Sequence, residues 1–199
     1  MSGRTAITRV TAGLSSRTRA TLAGVFILTA YLMLIAEATD SAAVVFLVDA
    51  VSGLSVIGIA VLLYPMFRPS SPIASGIYLG ARVLEGAIMI AAGTLFLAGQ
   101  TGVRSDLYEH VHIYCFIIGA AFLYYLLYQT ALVPRFIAIW GFVAVGFLVL
   151  TTVLSWFDYG SPWLDATLVL MIGNEVFMAI WLMARGFTAT ALVPDDAPW

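Results

Sequence analysis

Charge is what this chain has least of: 10% of its 199 residues are Asp, Glu, Lys or Arg, against 62% that are hydrophobic. A soluble domain carries roughly 25% charged residues, and the mean hydropathy of +1.01 excludes that class. Cysteine is almost absent. Cys115 stands alone, so no intrachain disulfide forms, the redox compartment cannot be read, and the thiol reads as inert and buried. No basic patch suits nucleic acid. The phosphate loop, the dinucleotide glycine fingerprint, the Gly-x-Ser-x-Gly elbow and the Asp-Asp-x-x-Asp motif are all missing, which speaks against phosphate or diphosphate chemistry. There is no internal repeat and no low-complexity segment. The net charge of −2 says little about partners, because most of the surface is expected to face lipid.

Long apolar runs fill the chain instead. Residues 1–19 form a basic Ser/Thr-rich tail carrying Arg4, Arg9, Arg17 and Arg19. Six runs follow at about 20–37, 42–67, 76–99, 108–133, 135–157 and 163–187, separated by turn-forming or polar residues. Each has at least the ~18 residues that carry a helix across a bilayer. The expected fold is all-α, a polytopic integral-membrane bundle of six transmembrane helices over 20–188, ending in a short acidic tail, 189–199. The basic start and Ala36-Glu37-Ala38 also resemble a signal peptide with its cleavage site. The charge inside that triplet and the later spans favour an uncleaved anchor. A cytoplasmic tail puts Arg68, Arg135 and Arg185 on the same side and leaves Arg104 outside, in keeping with the positive-inside rule. Both termini are then cytoplasmic.

Polar groups within the runs carry the functional signal. Arg82 is the cation deep inside a span, with Glu85 three residues on and so on the same helix face. Glu37, Asp49, Glu85 and Glu175 compete for it, which implies a polar internal cavity. Helical spacing draws its walls: Tyr78, Arg82, Glu85, Met89, Ala92 and Phe96 in the third run; Met171, Asn174, Met178, Trp181 and Arg185, with Glu175 at the edge, in the sixth. The fourth aligns His110, Tyr114, Ile117, Ala121, Tyr124 and Tyr128; the first aligns Phe26, Ala30, Met33, Glu37 and Asp40. Plainer readings stand beside these. Arg82 and Glu85 can be a structural ion pair, the tyrosines an interfacial belt, and Glu109, Asp40, Asp158 and Asp165 ordinary loop carboxylates. His110 and His112 point away from each other on a helix, so no metal site is expected.

Four stretches resemble a family of bacterial multi-pass membrane proteins, the domain of unknown function 4386. They are AGVFILTAYLMLIAE, RVLEGAIM, LVPRFIAIWGFVAVG and GNEVFMAIWLMARGF. The resemblance spans most of the chain in the family's order; the link between the first two spans is shorter than the family's usual one. It implies a compact helical membrane domain and supplies no activity and no site residues.

The first-ranked expectation is an integral-membrane enzyme acting on a lipid-soluble, isoprenoid- or terpenoid-like substrate by carboxyl-mediated proton transfer, such as alkene protonation leading to cyclisation or isomerisation. Glu175, Glu85, Asp49 and Glu37 are the candidate proton carriers; Arg82 and Asn174 orient them; Tyr78, His112, Tyr114, Tyr124, Trp156 and Trp181 line the substrate. Membrane lipid and a hydrophobic small molecule are the expected partners, and no cofactor is expected. Desolvation weakens a carboxyl as an acid, which speaks against alkene protonation and for the runner-up, a proton-coupled carrier or channel. The lack of repeats and of a helix broken at mid-membrane counts against a carrier. A non-catalytic membrane subunit, its charges facing outward, is the third reading.

Overall fold

The structure is a computed structural model describing residues 13–157, 159, 160 and 162–188, the side chains of 162–165 excepted. The N-terminal residues 1–12, Asp158, the Asp165 side chain and the acidic tail lie outside the described residues. Every described element is helical, and six stretches are long and apolar enough to cross a membrane.

Helix α1 (Ser16–Ala30) opens at Ser15, whose Oγ accepts the Thr18 N–H at 3.0 Å. At Tyr31 the winding tightens to a 3₁₀-helix that runs to Ala38. Helix α2 (Ala42–Phe67) keeps Pro65 inside its last turn. Ser71 caps α3 (Pro72–Leu97), and Pro72 occupies the first turn, where its missing N–H has no intrahelical partner to lose. Gly99, at φ 86°, turns the chain into α4 (Thr101–Leu107). A single π turn, Tyr108–His112, joins α4 to α5 (Ile113–Thr130). Ala131 bends through left-handed geometry toward α6 (Arg135–Ser155), and α7 (Pro162–Ala184) ends before Gly186, at φ 77°.

Two expectations from sequence need correction. The fourth span begins at Thr101, so residues 101–106, read from sequence as part of the polar link between the third and fourth runs, are helix instead; their Thr-Gly-Val-Arg-Ser-Asp composition hides a turn whose Arg104 is buried. A span does change its winding part-way: span one, Ser16–Ala38, is α-helical to Ala30 and 3₁₀-helical beyond it. Such a change often marks a functional hinge.

Each long helix packs on its sequence neighbours, and α7 returns to α1, so the six spans close into a ring. Small residues set the closest crossings. A Cβ on Gly53 would meet the Gly86 carbonyl, and one on Gly86 would meet the Gly53 carbonyl; α2 and α3 therefore cross backbone to backbone. At the closure, a Cβ on Gly24 would strike the Ala179 carbonyl, and Arg17 Nη2 donates to the Met183 and Ala184 carbonyls at 2.7 and 3.1 Å. A cation there complements the negative end of the α7 dipole. The outside of the ring is apolar, with Leu54, Leu84, Ile118, Phe136 and Ile139 exposed, as a lipid-facing surface requires.

Arg17, Arg68, Arg135 and Arg185 lie at one end of the ring, where α1 and α6 start and α2 and α7 stop. That end is filled by a packed core of Phe67, Tyr78, Tyr124, Leu126, Leu127, Ile137, Met178 and Leu182. A small separate cluster, Ala36, Val45 and Val48, sits under the opposite end.

Gly86→Val is expected to lower stability by about 1–3 kcal/mol through overpacking of the α2/α3 crossing. Gly80→Val, where nothing lies within 4 Å of the added atom, is expected to leave the melting temperature in detergent within a degree or two, after allowing for propensity. Thermal unfolding of both variants in one detergent checks the contrast.

Candidate functional site

A buried charge in an apolar bundle must find its counter-charge inside it, and this bundle does so at two separate centres. At the end opposite the basic residues, the short α4 turns Arg104 inward. Its Nε and Nη2 reach both Asp49 oxygens at 2.9 and 3.2 Å, and Nη1 reaches Glu37 at 2.9 Å. Tyr108 donates a further hydrogen bond to Asp49 at 2.9 Å, and the guanidinium lies 4.7 Å over its ring. This forked, stacked geometry is one that Arg supplies and Lys does not. Glu37 and Asp49 therefore do not depend on Arg82, and neither lines the cavity described below. The expectation that Arg82 alone serves four acids is corrected: a residue assigned to a loop supplies the second cation.

The second centre lies mid-bundle. Arg82 Nη1 donates to both oxygens of Glu85, at 3.0 and 2.8 Å. Its stem crosses the face of Gly119, where a Cβ would come within 3.1 Å, and its guanidinium lies 5.2 Å from the Phe116 ring centre. Glu175 approaches from α7: Oε1 stands 4.0 Å from Arg82 Nη2, and Oε2 accepts the Tyr31 hydroxyl proton at 2.8 Å. His112 Nε2 stands 3.7 Å from Glu85 Oε1, outside hydrogen-bond distance, and is one of several buried polar atoms without a partner. Two carboxyls thus share one guanidinium. Tyr31 begins the 3₁₀ segment, so the change of winding occurs at the residue that holds Glu175.

These groups form one wall of a cavity of about 190 Å³ lined by residues from all six spans. Ile59, Met89, Phe116, Leu123, Leu148, Met171 and Met178 make the rest of it largely apolar. The lining residues that are themselves exposed are Leu34, Leu168 and Ile172. All three belong to spans one and six, so the cavity meets the exposed apolar surface of the ring between the 3₁₀ segment and the N-terminal half of α7. The packed core of Tyr78, Tyr124 and their neighbours lies between the cavity and the basic end.

Of the residues expected at the site, the structure brings Glu175, Glu85, Arg82 and His112 together on this wall. Asn174 instead binds α7 to α6, donating from Nδ2 to the Ile137 carbonyl at 2.9 Å. Tyr78 and Tyr124 are buried in the core; the Tyr124 ring occupies the space that a Cβ on Gly141 would take, and its hydroxyl faces Met171 Sδ at 3.9 Å. Trp156 donates to the Tyr114 hydroxyl at 2.8 Å, linking α6 to α5 near the surface, and Trp181 stacks on Phe177 away from the cavity. The expected aromatic cage of Tyr78, Tyr114, Tyr124, Trp156 and Trp181 is therefore not assembled. Among the described residues no group of three His, Cys, Asp or Glu is placed to hold a metal ion.

Sequence reasoning missed Tyr31, Arg104 and Tyr108. Tyr31 had a signal available, since Ile27, Tyr31 and Leu34 fall on one helical stripe and all line the cavity. The stripe proposed for the fourth span holds only in part. The buried face runs through His112, Cys115, Gly119 and Leu123; of the expected stripe Tyr124 is buried, Tyr114, Ile117 and Ala121 are half-buried, and His110, which lies in the π turn, and Tyr128 are exposed.

The family model described as Domain of unknown function (DUF4386) matches residues 10–186. No curated protein and no solved structure matches the chain.

Arg104→Leu is expected to destabilise the fold by about 3–5 kcal/mol, because it leaves the fully buried Asp49 carboxylate unpaired. Glu37→Gln is expected to cost at most about 1 kcal/mol, since that side chain is 70% exposed. Denaturation in mixed micelles separates the two.

Proposed function

The chain belongs to the DUF4386 family, whose description assigns no activity, and we propose from the site alone that it is an integral-membrane enzyme. It acts on a lipid-soluble, isoprenoid-like substrate by carboxyl-mediated proton transfer. One observation carries this reading: Glu175, Glu85, Arg82 and His112 share a wall of an otherwise apolar cavity whose exposed lining residues lie between spans one and six. A hydrophobic molecule enters such a site sideways from the bilayer. About 190 Å³ is less than the ~300–1,000 Å³ that encloses a whole drug-sized ligand. The reacting end fits inside, and a longer tail runs out between Leu34 and Leu168 into lipid.

Glu175 is the working group. Arg82 holds both oxygens of Glu85, whereas Glu175 accepts one hydrogen bond, from Tyr31. Its Oε1 is therefore the carboxyl oxygen best able to take a proton from a substrate carbon and return it to another. The dispersal of the aromatic side chains favours this proton shift, an isomerisation, over a cyclisation that would need π faces around a long-lived cation.

A proton-coupled carrier is the second reading, favoured by the winding change at Tyr31 beside Glu175. The packed core toward the basic end counts against an open path through the bundle. The charges point into the ring, opposite to what the subunit reading asks. By the positive-inside rule the basic end and both termini face the cytoplasm of a multi-pass membrane protein.

Two outcomes are expected. With the protein reconstituted in nanodiscs in D₂O, at least one member of an isoprenoid panel of alkenes and ketones should take up deuterium at carbon, read by mass spectrometry. Glu175→Gln should slow that uptake by about 10²–10⁴-fold, while Asp49→Asn changes only the folded fraction; full uptake in Glu175→Gln removes this residue from the mechanism. Separately, Gln100→Cys in intact cells should react with a membrane-impermeant thiol reagent, and a cysteine at Arg185 only after permeabilisation.

A further inference from the structure

The 4.0 Å spacing between Arg82 Nη2 and Glu175 Oε1 specifies more than proton transfer. Both residues line the cavity and both are buried, at 5% and 8% exposure. Among the described residues no protein donor lies within hydrogen-bond distance of Oε1, and Nη2 makes no hydrogen bond; the other guanidinium terminus is engaged by Glu85. A hydrogen-bond donor with a positive charge and a carboxyl oxygen thus stand side by side on an apolar wall, each with bonding capacity left over.

We propose that the substrate is a lipophilic carbonyl compound, with Arg82 Nη2 binding its oxygen and Glu175 Oε1 moving a proton at the carbon next to it. This rests on the proton-transfer reading above and names its substrate class. In a ketone the carbonyl oxygen and the α-carbon are about 2.4 Å apart, from bond lengths of about 1.23 and 1.52 Å. An oxygen about 2.9 Å from Nη2 then leaves the α-carbon within roughly 3–3.5 Å of Oε1, the range of a near-attack arrangement. A bare alkene fits the carboxyl but leaves Nη2 without an acceptor.

The step balances without a co-reactant. Glu175 removes the α-proton, and the C–H electron pair forms a carbon–carbon double bond as the carbonyl π pair moves to oxygen. The resulting enolate faces Arg82, whose charge is already in place in a low-dielectric setting. Glu175 then returns the proton, to the α-carbon or, where a β,γ double bond is present, to the γ-carbon, which moves that bond into conjugation. Tyr31 is a positioning residue, since its hydrogen bond to Oε2 turns Oε1 toward the cavity.

The test uses the full chain in nanodiscs in D₂O with geranylacetone, an isoprenoid ketone, and an isoprenoid hydrocarbon of similar length, against empty nanodiscs. The expected result is deuterium at the α-carbons of the ketone at least about 100-fold faster than in the blank, with none on the hydrocarbon. Glu175→Gln should abolish it. Tyr31→Phe should slow it without changing how much ketone the nanodiscs retain, a split that a merely structural role would not produce. Uptake on the hydrocarbon but not on the ketone overturns the carbonyl assignment and leaves proton transfer standing. Uptake on neither overturns both. Because the ketone and hydrocarbon are compared on the unmodified protein, the result does not depend on any variant folding.

Discussion

An arginine buried in an apolar bundle cannot be left without an anion, and the placement of two such arginines organises this protein. The effective penalty for burying an ion is several kcal/mol even after relaxation. Arg104 meets that constraint by gathering Asp49 and Glu37 with Tyr108 at one end of the ring, a closed arrangement in which every guanidinium nitrogen has a carboxylate partner. Arg82 meets it with Glu85 through Nη1 and holds Nη2 4.0 Å from a second carboxyl, Glu175, while Nε makes no hydrogen bond among the described residues. The first centre is saturated and joins α4 to α2 and the 3₁₀ segment. The second retains bonding capacity and faces the cavity. Saturation, more than the presence of charge, separates the closed centre from the one that faces the cavity.

Two of the helices around the second centre depart from regular winding where they approach it. Span one tightens at Tyr31, the residue that holds Glu175, and span four loosens into a π turn that ends on His112. Both departures re-aim side chains that a regular helix would point elsewhere, and π turns recur at functional sites for this reason. The 3₁₀ segment is fastened at both ends, by Tyr31 to Glu175 and by Glu37 to Arg104, and Met33 and Leu34 between them border the cavity. The two arginine centres thus meet through one 3₁₀ segment of span one, Tyr31–Ala38.

Much of this was legible in the sequence. Six apolar runs of sufficient length gave the six helices, and the Tyr78, Arg82, Glu85, Met89, Ala92 stripe of the third run is the buried face of α3, because that helix is regular throughout. What was not legible has definite causes. The role of Arg104 was hidden by the polar turn around it, since composition reads Thr-Gly-Val-Arg-Ser-Asp as loop while the tertiary pairing with Asp49 makes it helix. The fourth run is apolar nearly all round, so spacing alone did not single out its buried face, and the π turn sets His110 apart from the residues that follow. Asn174 was read as a cavity residue and serves as interhelical glue instead, because its neighbour Glu175 takes the cavity-facing position one residue later. Family membership covers residues 10–186 and leaves the chemistry to the site.

The proposed chemistry requires a molecule from the bilayer to reach the wall that carries Arg82 and Glu175. Photolabelling in nanodiscs with an isoprenoid ketone bearing an alkyl diazirine, followed by peptide mapping, measures that directly. Adducts should concentrate on Leu34, Met89, Met171 and Met178 and be competed away by unlabelled ketone. Adducts confined to the outer faces of α3 and α6, at Leu84, Phe142 or Phe147, with no competition, would contradict it.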